Sequence, residues 1–289
     1  MAALNLQDWN RRTVRAVRSK GGVTAFPKYR DNLIQVSSCV WPPSEVVQKL
    51  CRSERISAFF PEDQAILSES LGYYSDLQSV HSEDAMQWSY FGPLVYGKPS
   101  ERVEFSNWMA DLLGIRGRNR ECAMALGRRI PHPDTFGNGG PELDLMITGD
   151  ALAIIVESKW RSAEGQWQGM TGNQSQLQLR RQFIASTGRR LLDSRYCVLL
   201  YVTLDPSQEA SSSGNLMEIP TFCCHWADLC DWPGHPHSDE VRRYYEWKRN
   251  LISRPPGVPA PGRQISVTCP SAPKLNLNQP SGSTRSDLG

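Results

Sequence analysis

Pro141-Glu142-Leu143-Asp144-Leu145-Met146-Ile147 and, beyond Thr148-Gly149-Asp150, Ala151-Leu152-Ala153-Ile154-Ile155-Val156-Glu157-Ser158-Lys159 decide how this chain folds. From Glu142 charged and apolar side chains alternate, so Glu142 and Asp144 share one face of a strand and Leu143 and Leu145 the other. Thr148-Gly149-Asp150 supplies a turn, with Gly149 free to take the positive φ of a tight reversal. The return run from Ala151 to Val156 is apolar throughout, the pattern of a strand buried on both faces and therefore central. Such a strand should not end in Glu157 and Lys159 unless both have partners, because an unpaired buried charge costs several kcal/mol. Residues two apart on a strand point the same way, so Glu157, Lys159 and Asp144 of the neighbouring strand converge on one volume.

These residue types belong together chemically. Mg²⁺ is a hard cation that takes one or two carboxylates, several waters and phosphate oxygens. Asp144 and Glu157 supply carboxylates and Ser158 a backbone carbonyl, with Mn²⁺ as a substitute ion. A metal held there polarises a phosphate and lowers the pKa of a bound water. Lys159 orients or helps deprotonate that water and stabilises charge on the transition state.

In these residues the stretch resembles the PD-(D/E)-x-K nuclease superfamily, with Asp144 matching the first acid, Glu157 the second and Lys159 the lysine. Pro141-Glu142 precedes Asp144 where the family pattern has Pro-Asp, and Pro133-Asp134 matches that dipeptide literally. Asp144 is preferred on strand pairing and Asp134 is the alternative. The resemblance spans about residues 82–252. It implies a restriction-endonuclease-like core and a Mg²⁺-dependent endonuclease that hydrolyses DNA phosphodiester bonds. By analogy alone it suggests a restriction or phage-defence role. A structure-specific repair or recombination nuclease is the first alternative, and an inactive nucleic-acid-binding or interaction module the second. Two cuts in a duplex need two sites, which makes a homodimer plausible.

Two flanking segments bear on the site. Ser82-Glu83-Asp84-Ala85 opens a helix, with Ser82 as N-cap, acids in the first turn and Ala85, Trp88 and Phe91 at helical spacing. Members of the superfamily often add an acid from such a helix. Glu83 is the candidate and Asp84 the alternative, although acids at a helix start also simply favour its dipole. Downstream, residues 173–184 form a polar helix with Leu177, Phe183 and Ile184 turned inward and Gln174, Gln178, Arg181 and Gln182 in a polar stripe. Similar nucleases place a glutamine there to reach substrate. Gln178 fits best, with Gln174 and Gln176 open, and a solvated helix face is the competing explanation. Arg161, in the Gly-rich loop after Lys159, and Arg181 are candidate DNA contacts.

The 289 residues carry 32 basic and 30 acidic side chains, a formal charge of +2, so DNA binding must come from local patches rather than bulk charge. Arg11, Arg12, Arg15, Arg18 and Lys20 form one, and Arg116, Arg118, Arg120, Arg128 and Arg129 another. No signal peptide or membrane span is evident, which points to the cytoplasm and to reduced thiols for the 8 cysteines. Cys223, Cys224, His225, Cys230, His235 and His237 are zinc-type ligands but match no paired finger spacing, and ordinary core thiols are the preferred reading.

The expected organisation is an N-terminal helical segment over 1–78, a nuclease core over 79–253 and a disordered Pro/Gly/Ser-rich tail over 254–289. Helices are expected over 44–51, 61–71, 101–113 and 239–252. Strands are expected over 195–204 and 217–223. The fold class is α/β, a mixed central β-sheet flanked by helices.

Overall fold

The alternating run from Glu142 and the unbroken apolar run after it become neighbouring strands of a five-stranded mixed sheet. The computed structural model describes residues 4–35, 46, 48–129, 142–160, 166–169, 172–188, 192, 196–204 and 219–252. In chain order the elements are β1 (Leu4–Gln7), β2 (Thr13–Arg18), β3 (Thr24–Ala25), α1 (Pro61–Ser68), α2 (Glu83–Val95), α3 (Pro99–Leu112), β4 (Cys122–Arg129), β5 (Glu142–Gly149), β6 (Leu152–Ser158), β7 (Gln166–Gly169), β8 (Gly172–Ser175), α4 (Gln176–Phe183), β9 (Tyr196–Thr203), β10 (Thr221–His225), α5 (Trp226–Cys230) and α6 (Ser238–Ile252).

The large sheet runs β10-β9-β6-β5-β4, with β5 antiparallel to both β4 and β6, and with β6, β9 and β10 parallel. The middle strand β6 is buried along its whole length, as an apolar strand covered on both faces must be. One face of the sheet, including Leu145, Ile154, Val156 and Leu200, packs on Tyr90 and Phe91 of α2, Phe105 of α3, Trp226 of α5 and Tyr244 of α6. The other face, with Ile155, Leu199 and Tyr201, packs on Phe183 and Ile184 at the end of α4. A mixed sheet between helices is therefore the observed class, and no helix among the described residues is long and apolar enough to cross a membrane.

Several local expectations change. The N-terminal segment is not simply helical: β1, β2 and β3 form an antiparallel sheet. Trp9, Val14 and Ala16 from it join the same core as the central sheet, and residues 1–257 form one compact unit. The arginines at 15 and 18 disguise a strand in which Val14 and Ala16 face inward. Most of the 44–51 helix and the whole 254–289 tail lie outside the described residues. In α3 the buried stripe is Phe105, Ser106, Met109 and Ala110, while Leu112 is exposed. The polar helix begins at Gln176, later than 173, because 172–175 form β8. On α6, Val241, Tyr244 and Tyr245 are buried, and so is Lys248. Its Nζ lies 3.3 Å from Asn32 Oδ1 and over the rings of Trp160 and Tyr244, and burial holds its pKa well below the usual lysine value.

Gly149 lies within β5 and does not adopt a positive φ; the turn falls on residues 150–151. Its missing side chain has another reason, since a Cβ there would collide with the Asn119 amide. That amide clamps the hairpin: Nδ2 donates to Ser106 Oγ at 2.7 Å and Leu152 O at 3.1 Å, and Oδ1 accepts from Ala151 N and Leu152 N, each at 2.9 Å. Gly149→Ala is expected to destabilise the fold by about 1–3 kcal/mol through overpacking, and a urea midpoint unchanged from wild type would refute that account.

Candidate functional site

Three elements meet where β6 ends. β5 and β6 pair Leu145 with Val156, which brings Asp144 level with Glu157. Asp144 Oδ2 accepts from Ser158 N at 2.7 Å and from Ser158 Oγ at 3.3 Å, tying the first acid to the backbone between Glu157 and Lys159. From the opposite direction α2 starts at Glu83, its entry set by Ser82 Oγ accepting from Ala85 N at 3.1 Å. Glu83 Oε1 accepts from Lys159 Nζ at 3.2 Å and Oε2 from Trp160 N at 3.1 Å. Lys159 Nζ also donates to Glu157 Oε1 at 2.7 Å.

The backbone of Lys159 is pinned on both sides. Its N–H donates to Val202 O at 2.7 Å, and its carbonyl accepts from Trp226 Nε1 at 3.1 Å. Trp160 is fully buried, so the chain beyond the lysine is anchored in the core. Glu157 is likewise 0% exposed and Lys159 only 4%. Burial pulls the Lys159 pKa down, but Glu157, Glu83 and Asp144 outweigh it and hold the ammonium above the usual lysine value. Burial and then the Glu157 charge raise the Asp144 carboxyl well above the usual carboxylate range, against the pull of Lys159.

The fourth member of the cluster comes from α4. Arg180, 2% exposed, places Nη2 at 2.8 Å from Glu157 Oε2 and donates to Glu142 O at 2.6 Å. The separation from Glu157 is that of an ion pair, but its geometry is not that of a hydrogen bond: among the described residues Oε2 has no hydrogen-bond partner, and neither do Arg180 Nε and Nη1. The sequence reading missed Arg180 among the surface residues of a polar helix. A signal was present: Arg180 lies three and four residues before Phe183 and Ile184, on the apolar face, where a cation requires a buried acid.

Asp134 and Arg161 lie outside the described residues, as do the side chains of Gln174, Gln176 and Leu177. Gln178 is half-buried on α4, two residues before Arg180. Arg181 Nε donates to Thr221 Oγ1 on β10 at 3.2 Å, so it is tied to the sheet. Asp84 belongs to an adjoining network in which Lys49 Nζ stands 3.5 Å from it and also pairs with Glu142. Of the two acids opening α2, it is Glu83 that touches Lys159.

Five of the ten side chains in the basic patches pair with local acids. Arg12 pairs with Asp8 at 2.6 Å and Arg15 with Glu69 at 2.9 Å. Arg118 pairs with Asp111, Arg120 with Asp150 at 2.9 Å and Arg129 with Glu142 at 3.8 Å.

The donor set at the end of β6 suits a hard divalent cation. Asp144 and Glu157 present carboxyl groups from adjacent strands, and Glu157 Oε2 is a buried oxygen with no hydrogen bond among the described residues. No complete cage of three or more His, Cys, Asp or Glu side chains occurs among the described residues. Mg²⁺ does not require one, because waters and substrate phosphates complete its shell.

Of the residues with zinc-type side chains, His235 is committed elsewhere. His235 Nε2 donates to Tyr90 O at 2.9 Å and Nδ1 accepts from His237 N at 3.0 Å, so both ring nitrogens are committed. Cys223, Cys224 and Cys230 are not joined in disulfides among the described residues. Burial lowers His235 from 6.5 to about 4. The unfolded chain therefore binds a proton near pH 6.5 that the folded one takes up only near pH 4. Stability is fully present above that window and falls as pH drops through it. Between pH 7 and pH 5 the expected loss is about 2 kcal/mol, read as a shift in urea midpoint that His235→Gln should abolish.

No protein-family model, curated protein or solved structure matches the chain.

Proposed function

We propose that this protein is a divalent-metal-dependent endonuclease that hydrolyses phosphodiester bonds in DNA, with Asp144 and Glu157 as metal ligands and Lys159 beside the reacting phosphate. The observation that carries the reading is Lys159 held by Glu157 at 2.7 Å and Glu83 at 3.2 Å at the end of a fully buried strand, with Asp144 beside it. Hydrophobic residues of similar volume are often as stabilising as a buried ion pair, so the Glu157–Lys159 pair supports a role beyond stability.

Asp144, Glu157 and the Ser158 carbonyl would hold the ion, which supplies polarisation of the phosphate and a bound water of lowered pKa. Lys159, whose neighbours hold its proton, acts as a hydrogen-bond donor and fixed positive charge: it orients the attacking water and stabilises charge developing on phosphate oxygens. Glu83 positions Lys159 and fixes Trp160 N, so the lysine cannot swing away from the end of β6. Gln178, on α4, would contact substrate, and Arg161, two residues after Lys159 in the chain, would do the same.

A restriction or defence role is the proposed biology, with a nuclease that reads branches or ends as the enzymatic alternative. A non-catalytic binding module is favoured by one observation, the engagement of Glu157 by two cations, Lys159 and Arg180. Supercoiled plasmid, linear duplex, branched and single-stranded DNA, each incubated with Mg²⁺, with Mn²⁺ and with a chelator, separate the three. Metal-dependent cutting supports the proposal, its substrate preference selects the biology, and binding without cutting under every condition would leave the module.

A further inference from the structure

Arg180 has no place in the reading above, although it is among the most buried charged side chains of the site. Its guanidinium touches Glu157 Oε2 at 2.8 Å and Glu142 O at 2.6 Å, both through Nη2. Among the described residues Nε and Nη1 have no partner, and Glu157 Oε2 has no hydrogen bond. Buried polar groups are almost always satisfied, and charged ones left unsatisfied are strongly destabilising. The two deficits have opposite character: a cation would satisfy Oε2, and an oxyanion would satisfy Nε and Nη1.

Resting on the metal-dependent reading, we propose that Arg180 is a positioning residue that holds Glu157 as an ion pair until a divalent cation takes its place, and then donates from Nε and Nη1 to a substrate phosphate. The charges require such an exchange. Lys159 already occupies Glu157 Oε1 at 2.7 Å, so a divalent ion entering with Arg180 still on Oε2 would put three cations on one carboxylate. Moving the guanidinium onto phosphate removes that repulsion and neutralises the negative charge the substrate brings. The anchor on Glu142 O keeps the side chain at the site.

The consequence is a pair of effects with opposite sign. In calorimetric titrations with Mn²⁺ and no DNA, Arg180→Gln should bind the ion about tenfold or more tighter than wild type, because a competing cation is gone. Glu157→Gln should bind it about tenfold or more weaker, because a ligand is gone. With saturating Mn²⁺ and Lys159→Ala as the background to prevent cutting, Arg180→Gln should weaken binding of a short DNA duplex about tenfold, read by fluorescence anisotropy. Mn²⁺ affinity equal to or below wild type in folded Arg180→Gln overturns the exchange. Mn²⁺ binding unaltered in Glu157→Gln overturns the metal reading and the exchange with it. Should Arg180→Gln fail to fold, the unmodified protein decides: the Arg180 Nε–H resonance, identified by its loss in Arg180→Lys, should shift on titration with Mg²⁺. A resonance that stays in place at saturating Mg²⁺ overturns the proposal.

Discussion

Lys159→Ala is expected to lower Mg²⁺-dependent cleavage of supercoiled plasmid by about 10²–10³-fold, the usual loss when one preorganised electrostatic group is removed from a transition state. The ammonium pairs with both Glu157 and Glu83, so its removal takes away a cation that the two carboxylates share. Mn²⁺ affinity should therefore rise or hold while turnover falls, a combination that unfolding cannot produce. Asp144→Ala should also lose cleavage, but together with metal affinity, because it removes a ligand rather than a charge stabiliser. Both variants cutting as fast as wild type would dismiss the site assignment.

Glu157→Ala is expected to produce the largest stability loss. It removes the acid between Lys159 and Arg180, which are 4% and 2% exposed, and leaves Arg180 without its ion pair in the interior. Breaking a buried ion pair from one side typically costs about 3–5 kcal/mol, which for a domain of this size lowers Tm by about 10 °C. Glu157→Gln keeps the shape and two acceptor or donor positions and should lose less. Replacing Glu157 and Arg180 together by leucine should recover much of the deficit, since an apolar pair of similar volume needs no compensating charge. A double variant as unstable as Glu157→Ala would show that packing, not charge burial, dominates at this position.

The elements legible along the chain were those whose burial repeats within a few residues. The apolar run before Glu157 announced a central strand because a strand covered on both faces has no polar positions to show. Ser82 announced the start of α2 because a cap acts on backbone groups only three residues away. The same logic failed where side-chain chemistry masked the period: β2 alternates inward Val14 and Ala16 with outward Arg15, and the arginines suggested a surface patch. It failed again at Gly149, whose requirement comes from Asn119, thirty positions upstream, and not from the turn beside it.

The candidate site divides along the same line. Asp144, Glu157 and Lys159 sit on neighbouring strands joined by a short turn, so period-two geometry alone brings them together, and Glu83 enters through a helix start recognisable from its cap. Arg180 belongs to the site only because α4 packs its Phe183 and Ile184 onto Ile155 and Leu199 and thereby carries the guanidinium down to Glu157. Local periodicity dictates which face of an element a side chain occupies, whereas the partner it meets there depends on how separate elements pack. Sequence accordingly specified the acids and the lysine of this cluster, and tertiary packing alone decided that a second buried cation stands against Glu157.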